Sequence, residues 1–195
     1  MISQTVLIMQ ESFLKKINTK NGKEATIRYP TLDDVIEMTQ YINDISREDT
    51  YITFSGEQIT LDEEKIYLLD LLKRIENGDA VNLLCVINGK IVGITGIERK
   101  ISARRRGSHI GIYGISVKKE YRGYGVGLEL SKSVIEEARK RMAGLKIITL
   151  SVYKPNEIAF SMYKKLGFVE YGVLPQGISF HGEFVDEVEM YLSVI

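Results

Sequence analysis

The chain has 195 residues, and this length favours one domain with room for a sizeable core. Lysine plus arginine and aspartate plus glutamate number 26 each, so a broad nucleic-acid-binding surface is not expected. The single cysteine, Cys85, excludes a disulfide framework within the chain and favours a reducing compartment. No apolar run approaches the roughly 18 residues of a membrane span, and the N-terminus lacks a signal-peptide pattern. We therefore predict a cytoplasmic, soluble protein with no membrane or nucleic-acid partner.

The first half of the chain predicts an N-terminal extension, residues 1–24, ahead of a domain that covers residues 25–195. Alternating apolar and polar residues over 25–29 predict a strand. Thr31 and Thr60 each precede acidic residues and predict the N-caps of two helices. The predicted inward-facing residues are Val35, Ile36, Met38 and Ile42 in the first helix, and Ile66, Leu69, Leu72 and Ile75 in the second.

Strands follow the two helices. Apolar runs over 81–87 and 91–97 flank Asn88-Gly89, a strong signal for a two-residue hairpin. A basic turn over 102–108 then leads to a predicted central strand over 110–117. We expect the turn to be solvated, or else to contact a phosphate or an acidic partner.

The last part of the chain alternates helices and strands. The predicted elements are a helix over 128–142, a strand over 147–152, a helix from Asn156 that ends at Gly167, and strands over 168–171 and 185–192 joined by a loop with proline and glycine. Some strands are separated by helices and others are joined by hairpins. This order predicts an α/β fold with a mixed, mostly antiparallel central sheet and helices on both faces.

The glycine-rich stretch from Arg122 to Gly127 lies between the predicted central strand and the helix that follows it. Its glycines permit a tight turn and a close approach to a ligand, and the helix N-terminus attracts anions. The sequence R-G-Y-G-V-G matches neither a Walker loop nor the G-x-G-x-x-G dinucleotide fingerprint. The stretch is therefore either a different phosphate-binding loop or a turn without a ligand.

Three stretches in order resemble the GNAT-type N-acetyltransferases. The loop at Arg122 matches their [QR]-x-x-G-x-[GA] signature, and Asn156-x-x-Ala159-x-x-x-Tyr163-x-x-x-Gly167-Phe168 resembles their closing motif. The strand and helix over 25–34 resemble their opening elements. The resemblance covers about residue 25 to the end of the chain, and it implies the acyl-CoA N-acyltransferase fold with acetyl-CoA as co-substrate and no metal.

The resemblance also implies which residues bind the coenzyme. The loop amides would hold the pyrophosphate, while the backbone of the central strand would pair with the pantetheine arm between two splayed strands. The implied cofactor-binding residues are Ile115, Val117, Arg122, Gly123, Tyr124, Gly125, Val126, Gly127, Leu128 and Asn156. Asn156 begins a helix, so it is an N-cap, a coenzyme contact, or both.

Two catalytic residues follow from the resemblance. Tyr163 occupies the place of a tyrosine that protonates the departing thiolate, and the alternative is a core tyrosine with a satisfied hydroxyl. His109 occupies the place of a glutamate base in some members, and a histidine can accept a proton near neutral pH. The alternative is a surface histidine beside a basic turn. Ser151 replaces the glutamate base of the ribosomal-protein type, so that substrate class does not transfer.

Two carboxylates are candidates for binding a cationic amine. Asp186 falls on the same strand face as Phe184, Val188 and Met190, where a buried carboxylate needs a partner. An amine substrate is one such partner, and Arg28 or a backbone N–H is another. Glu98, near the end of its strand, is the second candidate.

The sequence therefore predicts an N-acetyltransferase that moves an acetyl group from acetyl-CoA to a primary amine by direct attack in a ternary complex. The acceptor is a small-molecule or peptide amine, and loops 46–58 and 173–183 are expected to form its pocket. The alternatives are transfer of another acyl group and a non-catalytic coenzyme A-binding regulatory module. A homodimer through the sheet edge or the extension is also expected.

Overall fold

Eight strands and four α-helices make up the part of the chain that the computed structural model describes, residues 13–100 and 106–194. The strands are β1 (Phe13–Asn18), β2 (Glu24–Arg28), β3 (Ala80–Ile87), β4 (Lys90–Arg99), β5 (Ile110–Val117), β6 (Ile147–Tyr153), β7 (Val169–Phe180) and β8 (Glu183–Ser193). The helices are α1 (Val35–Arg47), α2 (Leu61–Glu76), α3 (Val126–Arg141) and α4 (Glu157–Lys165). None of the helices described is long and apolar enough to cross a membrane.

The strands form one sheet in the order β1-β2-β3-β4-β5-β6-β8-β7. Every neighbouring pair is antiparallel except β5 and β6, which run parallel. A parallel pair needs a crossover, and α3 supplies it. The predicted mixed, mostly antiparallel sheet is thus confirmed.

Alternation along β5 shows that the helices cover both faces of the sheet. The Tyr41 hydroxyl of α1 lies 2.9 Å from the hydroxyl of Ser116. On the other face, the Tyr113 hydroxyl lies 2.7 Å from that of Ser131 in α3. Because neighbouring side chains of a strand point to opposite faces, α1 and α3 lie on opposite sides of the core.

The extension contributes an edge strand to the sheet. Residues 13–18 pair with β2, and the Lys20 N–H donates to the Tyr124 carbonyl at 3.0 Å. This part of the extension therefore contacts its own domain at the glycine-rich loop, while residues 1–12 lie outside the described residues.

The predicted faces of α1 and α2 are wrong in part. Ile36 and Ile66 are 67% and 70% exposed, and Leu69 is also exposed. The residues that pack inward are Met38, Tyr41 and Ile45 in α1, and Leu68, Leu71 and Ile75 in α2. These sets also have helical spacing, and contact with the sheet determines which set is buried.

The predicted loop between the last two strands is also wrong for most of its length. β7 continues to Phe180 and pairs with β8 through two irregularities in register, the second between Leu174 and Ile178. Pro175 lies within that irregularity, on the outermost strand, where a missing N–H is tolerated. The actual turn is at His181 and Gly182, which both have left-handed backbones.

Candidate active site

A gap opens in the sheet between β5 and β6. The two strands pair only from Ile110 to Ile112 and from Ile147 to Thr149, whereas β6 pairs with β8 as far as Tyr153. The edge of β5 that faces β6 therefore has no strand partner over residues 113–117, although the Val117 carbonyl accepts the Arg122 side chain. Unpaired strand edges accept another extended segment through backbone hydrogen bonds.

The glycine-rich loop lies at the end of this gap and presents a run of free amides. In the described part of the chain, no hydrogen bond is made by the backbone N–H groups of residues 123–128. Gly125 is the N-cap of α3 and has φ +89°, and Gly123 has φ +80°, both in the left-handed region. Free amides at a helix N-terminus bind anions, so the loop can hold a pyrophosphate.

Arg122 is not a free cation in this loop. Its Nε donates to the Val117 carbonyl at 2.7 Å, and its Nη2 forms an ion pair with Glu48 of α1. The Glu48 carboxylate therefore compensates the charge of Arg122, and contact of Arg122 with the coenzyme stays a prediction.

A cavity of about 760 Å³ lies on the sheet face that α1 and α2 cover. The strand residues Ile94, Gly96, Ile112 and Gly114 line it from the sheet. Residues 51–54, from the segment between α1 and α2, line it from the opposite side. The cavity also reaches Ser151, Asn156 and Tyr163 beside the gap, so it connects with the space between β5 and β6.

Tyr163 lies where the cavity meets the gap. Its side chain is 7% exposed, and its ring contacts that of Tyr113 edge-on at 5.8 Å. Its hydroxyl makes no hydrogen bond among the described residues, whereas the buried Tyr113 hydroxyl is bonded to Ser131. Burial raises the pKa of Tyr163 to about 12, so the phenol keeps its proton at neutral pH.

Asn156 is the N-cap of α4. Its Oδ1 accepts the Ala159 N–H at 3.2 Å, as expected for a cap, and the residue also lines the cavity. A capping role is thus confirmed, and contact with a coenzyme stays a prediction.

The two carboxylates that were predicted to bind the amine lie in different places. Glu98 lines the cavity and forms an ion pair with Arg74 of α2. Asp186 instead pairs with Lys154 at 2.8 Å and accepts the Gln176 N–H at 3.1 Å. Lys154 and the Gln176 N–H are therefore the partners that the Asp186 carboxylate was predicted to need.

The environment predicted for Asp186 is wrong, since the face that it shares with Phe184 is buried at Val188 and Met190 but not at this end of β8. Phe184 is 70% exposed, because β7 and β8 extend beyond the helices at this end. Asp186 therefore needs no buried amine to compensate its charge, and Lys154 and Gln176 hold it outside the cavity.

His109 lies just before β5, at the end of the strand away from the loop. Its carbonyl accepts the N–H groups of Lys146 and Ile147, at 2.9 and 3.2 Å. Six residues of extended chain separate it from Ile115, a distance of about 20 Å. His109 is not among the residues that line the cavity in the described structure, so this geometry does not support it as a base.

Aromatic contacts that the sequence did not reveal hold the segment over residues 51–54 beside the cavity. Tyr51 stacks on Phe180 at 4.8 Å, and the Tyr153 hydroxyl donates to the Ile52 carbonyl at 3.2 Å. The aromatic content of loop 46–58 was the available signal, but its partners on β6 and β7 are distant in sequence.

Comparison with known proteins matches residues 40–168 to the Acetyltransferase (GNAT) family, and the chain belongs to this family. An uncharacterized N-acetyltransferase of Methanocaldococcus jannaschii is 38% identical over 105 residues, which are 53% of this chain and 44% of that protein. The L-amino acid N-acetyltransferase of Escherichia coli is 32% identical over 108 residues, 55% of this chain and 65% of that protein. The chain thus matches less than two thirds of either relative.

Solved structures confirm the acyl-CoA N-acyltransferase fold. A GNAT-family acetyltransferase from Streptococcus pneumoniae superposes with a TM-score of 0.80 at 29% identity, covering 88% of this chain and 99% of that one. A putative acetyltransferase from Salmonella typhimurium, solved with acetyl-CoA, has a TM-score of 0.76 at 20% identity, covering 88% and 94%. The family resemblance inferred from the sequence is therefore confirmed.

Proposed function

We propose that this protein is an N-acetyltransferase that moves an acetyl group from acetyl-CoA to a primary amine by direct attack in a ternary complex. The observation that carries the proposal is the connection of a loop with free amides, an open strand edge and a cavity that Tyr163 lines. Each of these features serves one part of the reaction.

The coenzyme would occupy the gap between β5 and β6. The free amides of residues 123–128 suit its pyrophosphate, and the open β5 edge around Ile115 suits the amide groups of its pantetheine arm. At Val117, the coenzyme would have to replace the Arg122 side chain as the partner of the carbonyl. The bound co-substrate supplies an activated thioester. Structures of similar fold with acetyl-CoA support this assignment.

Tyr163 would act as the general acid. A phenol that has a raised pKa, keeps its proton and has no competing hydrogen bond is a suitable donor to a departing thiolate. Cys85 is not a candidate nucleophile, because it is buried in β3 and burial raises the pKa of its thiol to about 12. The amine would therefore attack the thioester directly, without a covalent enzyme intermediate.

The acceptor would enter the cavity under α1 and α2. Among the described residues that line it, Glu98 is the carboxylate, and its ion-pair partner Arg74 lines the same cavity. A relative that is named an L-amino acid N-acetyltransferase is consistent with a small amine acceptor. We propose that Glu98 orients the amine and that Asp186 does not.

A turnover screen tests this function. Purified protein with acetyl-CoA and a panel of polyamines, amino acids, aminoglycosides and peptides should release free thiol with at least one amine. Replacing acetyl-CoA by propionyl-CoA or succinyl-CoA tests whether another acyl group is preferred. If coenzyme A binds in calorimetry and no amine or acyl donor gives turnover, the protein is a binding module instead.

A further inference from the structure

The C-terminal half of α1 is joined to the end of β5 by a row of polar contacts. Tyr41 meets Ser116 at 2.9 Å, and Asp44 Oδ2 lies 2.8 Å from the Nζ of Lys118. Tyr41, Asp44 and Glu48 are three and four residues apart, so they share one face of the helix. This row of contacts runs from Ser116 in β5 toward the glycine-rich loop.

Glu48 completes the row at the entrance of the loop. Its Oε1 accepts the Lys119 N–H at 3.0 Å, and its Oε2 pairs with the guanidinium of Arg122. The Nε of Arg122 reaches back to the Val117 carbonyl at 2.7 Å. The Glu48 side chain is only 16% exposed, and charge-assisted bonds of this type are among the stronger ones in proteins.

The segment that covers the cavity begins at the next residue. We name residues 49–54 the cover segment. Asp49 has a left-handed backbone with φ +44°, and its carboxylate lies 3.0 Å from the Nε2 of His181. Tyr51 and Ile52 of this segment line the cavity. Glu48, which contacts Lys119 and Arg122 before the loop, is therefore directly followed by the cover segment.

We infer that Glu48 is a positioning residue that couples occupation of the glycine-rich loop to closure of the cover segment over the acceptor cavity. An anion bound by the loop amides fixes residues 119–122, these fix Glu48, and Glu48 fixes the start of the cover segment. Such coupling is reciprocal, so a closed cover also favours the bound coenzyme. The inference rests on the proposed function insofar as the loop takes coenzyme A.

The experiment compares Glu48→Gln with Glu37→Gln by amide hydrogen exchange, with and without saturating coenzyme A. Glu37 is a matched control on the same helix, since it accepts the Ile91 N–H at 3.3 Å and pairs with Lys90 at 3.0 Å. In the wild type and the control, we expect coenzyme A to slow exchange about tenfold over residues 49–54 and over the loop. In Glu48→Gln, we expect slowing at the loop alone.

Each other outcome has a definite meaning. Equal slowing of the cover segment in Glu48→Gln overturns the inference, and so does a wild type that binds coenzyme A with no change at the cover segment. A wild type that does not bind coenzyme A in calorimetry rejects the proposed function itself. If Glu48→Gln does not fold, Arg122→Gln removes the other end of the contact and should give the same loss of slowing.

Discussion

The rings of Tyr113 and Tyr163 lie 5.8 Å apart, yet within residues 13–100 and 106–194 only the Tyr113 hydroxyl has a hydrogen-bond partner. Tyr113 is bonded to Ser131 within the core, while the hydroxyl of Tyr163 has no partner among the described residues and lines the cavity. The two neighbouring tyrosines therefore differ in hydrogen bonding, and this contrast provides a matched pair of variants.

Tyr163→Phe should lower the turnover number by about 10²–10⁴, the usual range for a positioned acid. The Michaelis constant for acetyl-CoA should change much less, because the loop and the strand edge supply most of the binding. Tyr113→Phe is the control and should lower stability more than turnover, since it removes the buried hydrogen bond to Ser131, which keeps its bond to the Gly127 carbonyl. Single-turnover rates measure the chemical step directly. An unchanged rate in Tyr163→Phe would show that Tyr163 is a packing residue and not the general acid.

Gly125→Val should weaken coenzyme A binding by about tenfold or more. Gly125 has φ +89° at the N-cap of α3, where a β-branched side chain opposes the backbone angles and crowds the loop amides. Gly144→Val is the control, because Gly144 also has a left-handed backbone, φ +76°, and open space around it, but lies beyond the far end of α3. Calorimetry on both folded variants measures the difference, and equal affinities would reject the loop assignment.

His109→Ala should leave the rate–pH profile and the turnover number close to those of the wild type. The residue begins β5 at the end away from the loop, about 20 Å along the strand from Ile115. Glu98→Gln is the contrasting variant and should raise the Michaelis constant for the amine, because Glu98 lines the cavity. A flattened acid limb in His109→Ala would restore the histidine as the base.

Glu64→Gln should raise the free energy of unfolding by about 1–3 kcal/mol at about pH 8 and change it little at about pH 4. Glu64 is 4% exposed, its Oε1 has no hydrogen-bond partner in the described part of the chain, and burial raises the pKa of its carboxyl from 4.5 to about 7. When folding raises the pKa of a carboxyl, the protein loses stability as the pH rises from the pKa of the unfolded state to that of the folded state. For Glu64, the free energy of unfolding therefore falls between about pH 4.5 and about pH 7.

The neighbouring Glu63 is the control for this experiment. Its pKa is lowered by the hydrogen bonds from the backbone and side chain of Thr60, so its ionised form favours folding. Glu63→Gln should thus destabilise the protein at high pH, the opposite sign to Glu64→Gln. Denaturant titrations at the two pH values measure both, and a Glu64→Gln variant that gains nothing at high pH would contradict the prediction.

Local signals in the sequence predicted much of the fold. Asn88-Gly89 located the β3–β4 hairpin, the apolar run over 110–117 gave β5, and Thr60 was found as the cap of α2, with its hydroxyl accepting the Glu63 N–H. These features depend on residues close together in the chain. Periodicity failed for Ile36 and Ile66, because two apolar stripes on one helix compete and only packing selects between them.

The site was predictable where it is a local motif and not where it depends on distant pairs. The glycine loop and the Tyr163 spacing were visible in the sequence. The pairing of Glu48 with Arg122 joins residues 74 positions apart, and Tyr153 meets Ile52 across 101 positions. For Asp186 a backbone N–H was among the predicted partners, but the sequence did not show that the irregular register of β7 makes it the Gln176 N–H, or that Lys154 is the ionic partner.

The early end of the β5–β6 ladder divides the sheet into two blocks, one of five strands and one of three, that share only three residue pairs. This short ladder leaves few backbone hydrogen bonds between the two blocks, and a ligand that binds both blocks would add hydrogen bonds there. A ligand that binds only the folded chain stabilises it by mass action. The proposed coenzyme site thus lies where the sheet lacks backbone pairing. A bound coenzyme would connect the two blocks and stabilise the folded protein.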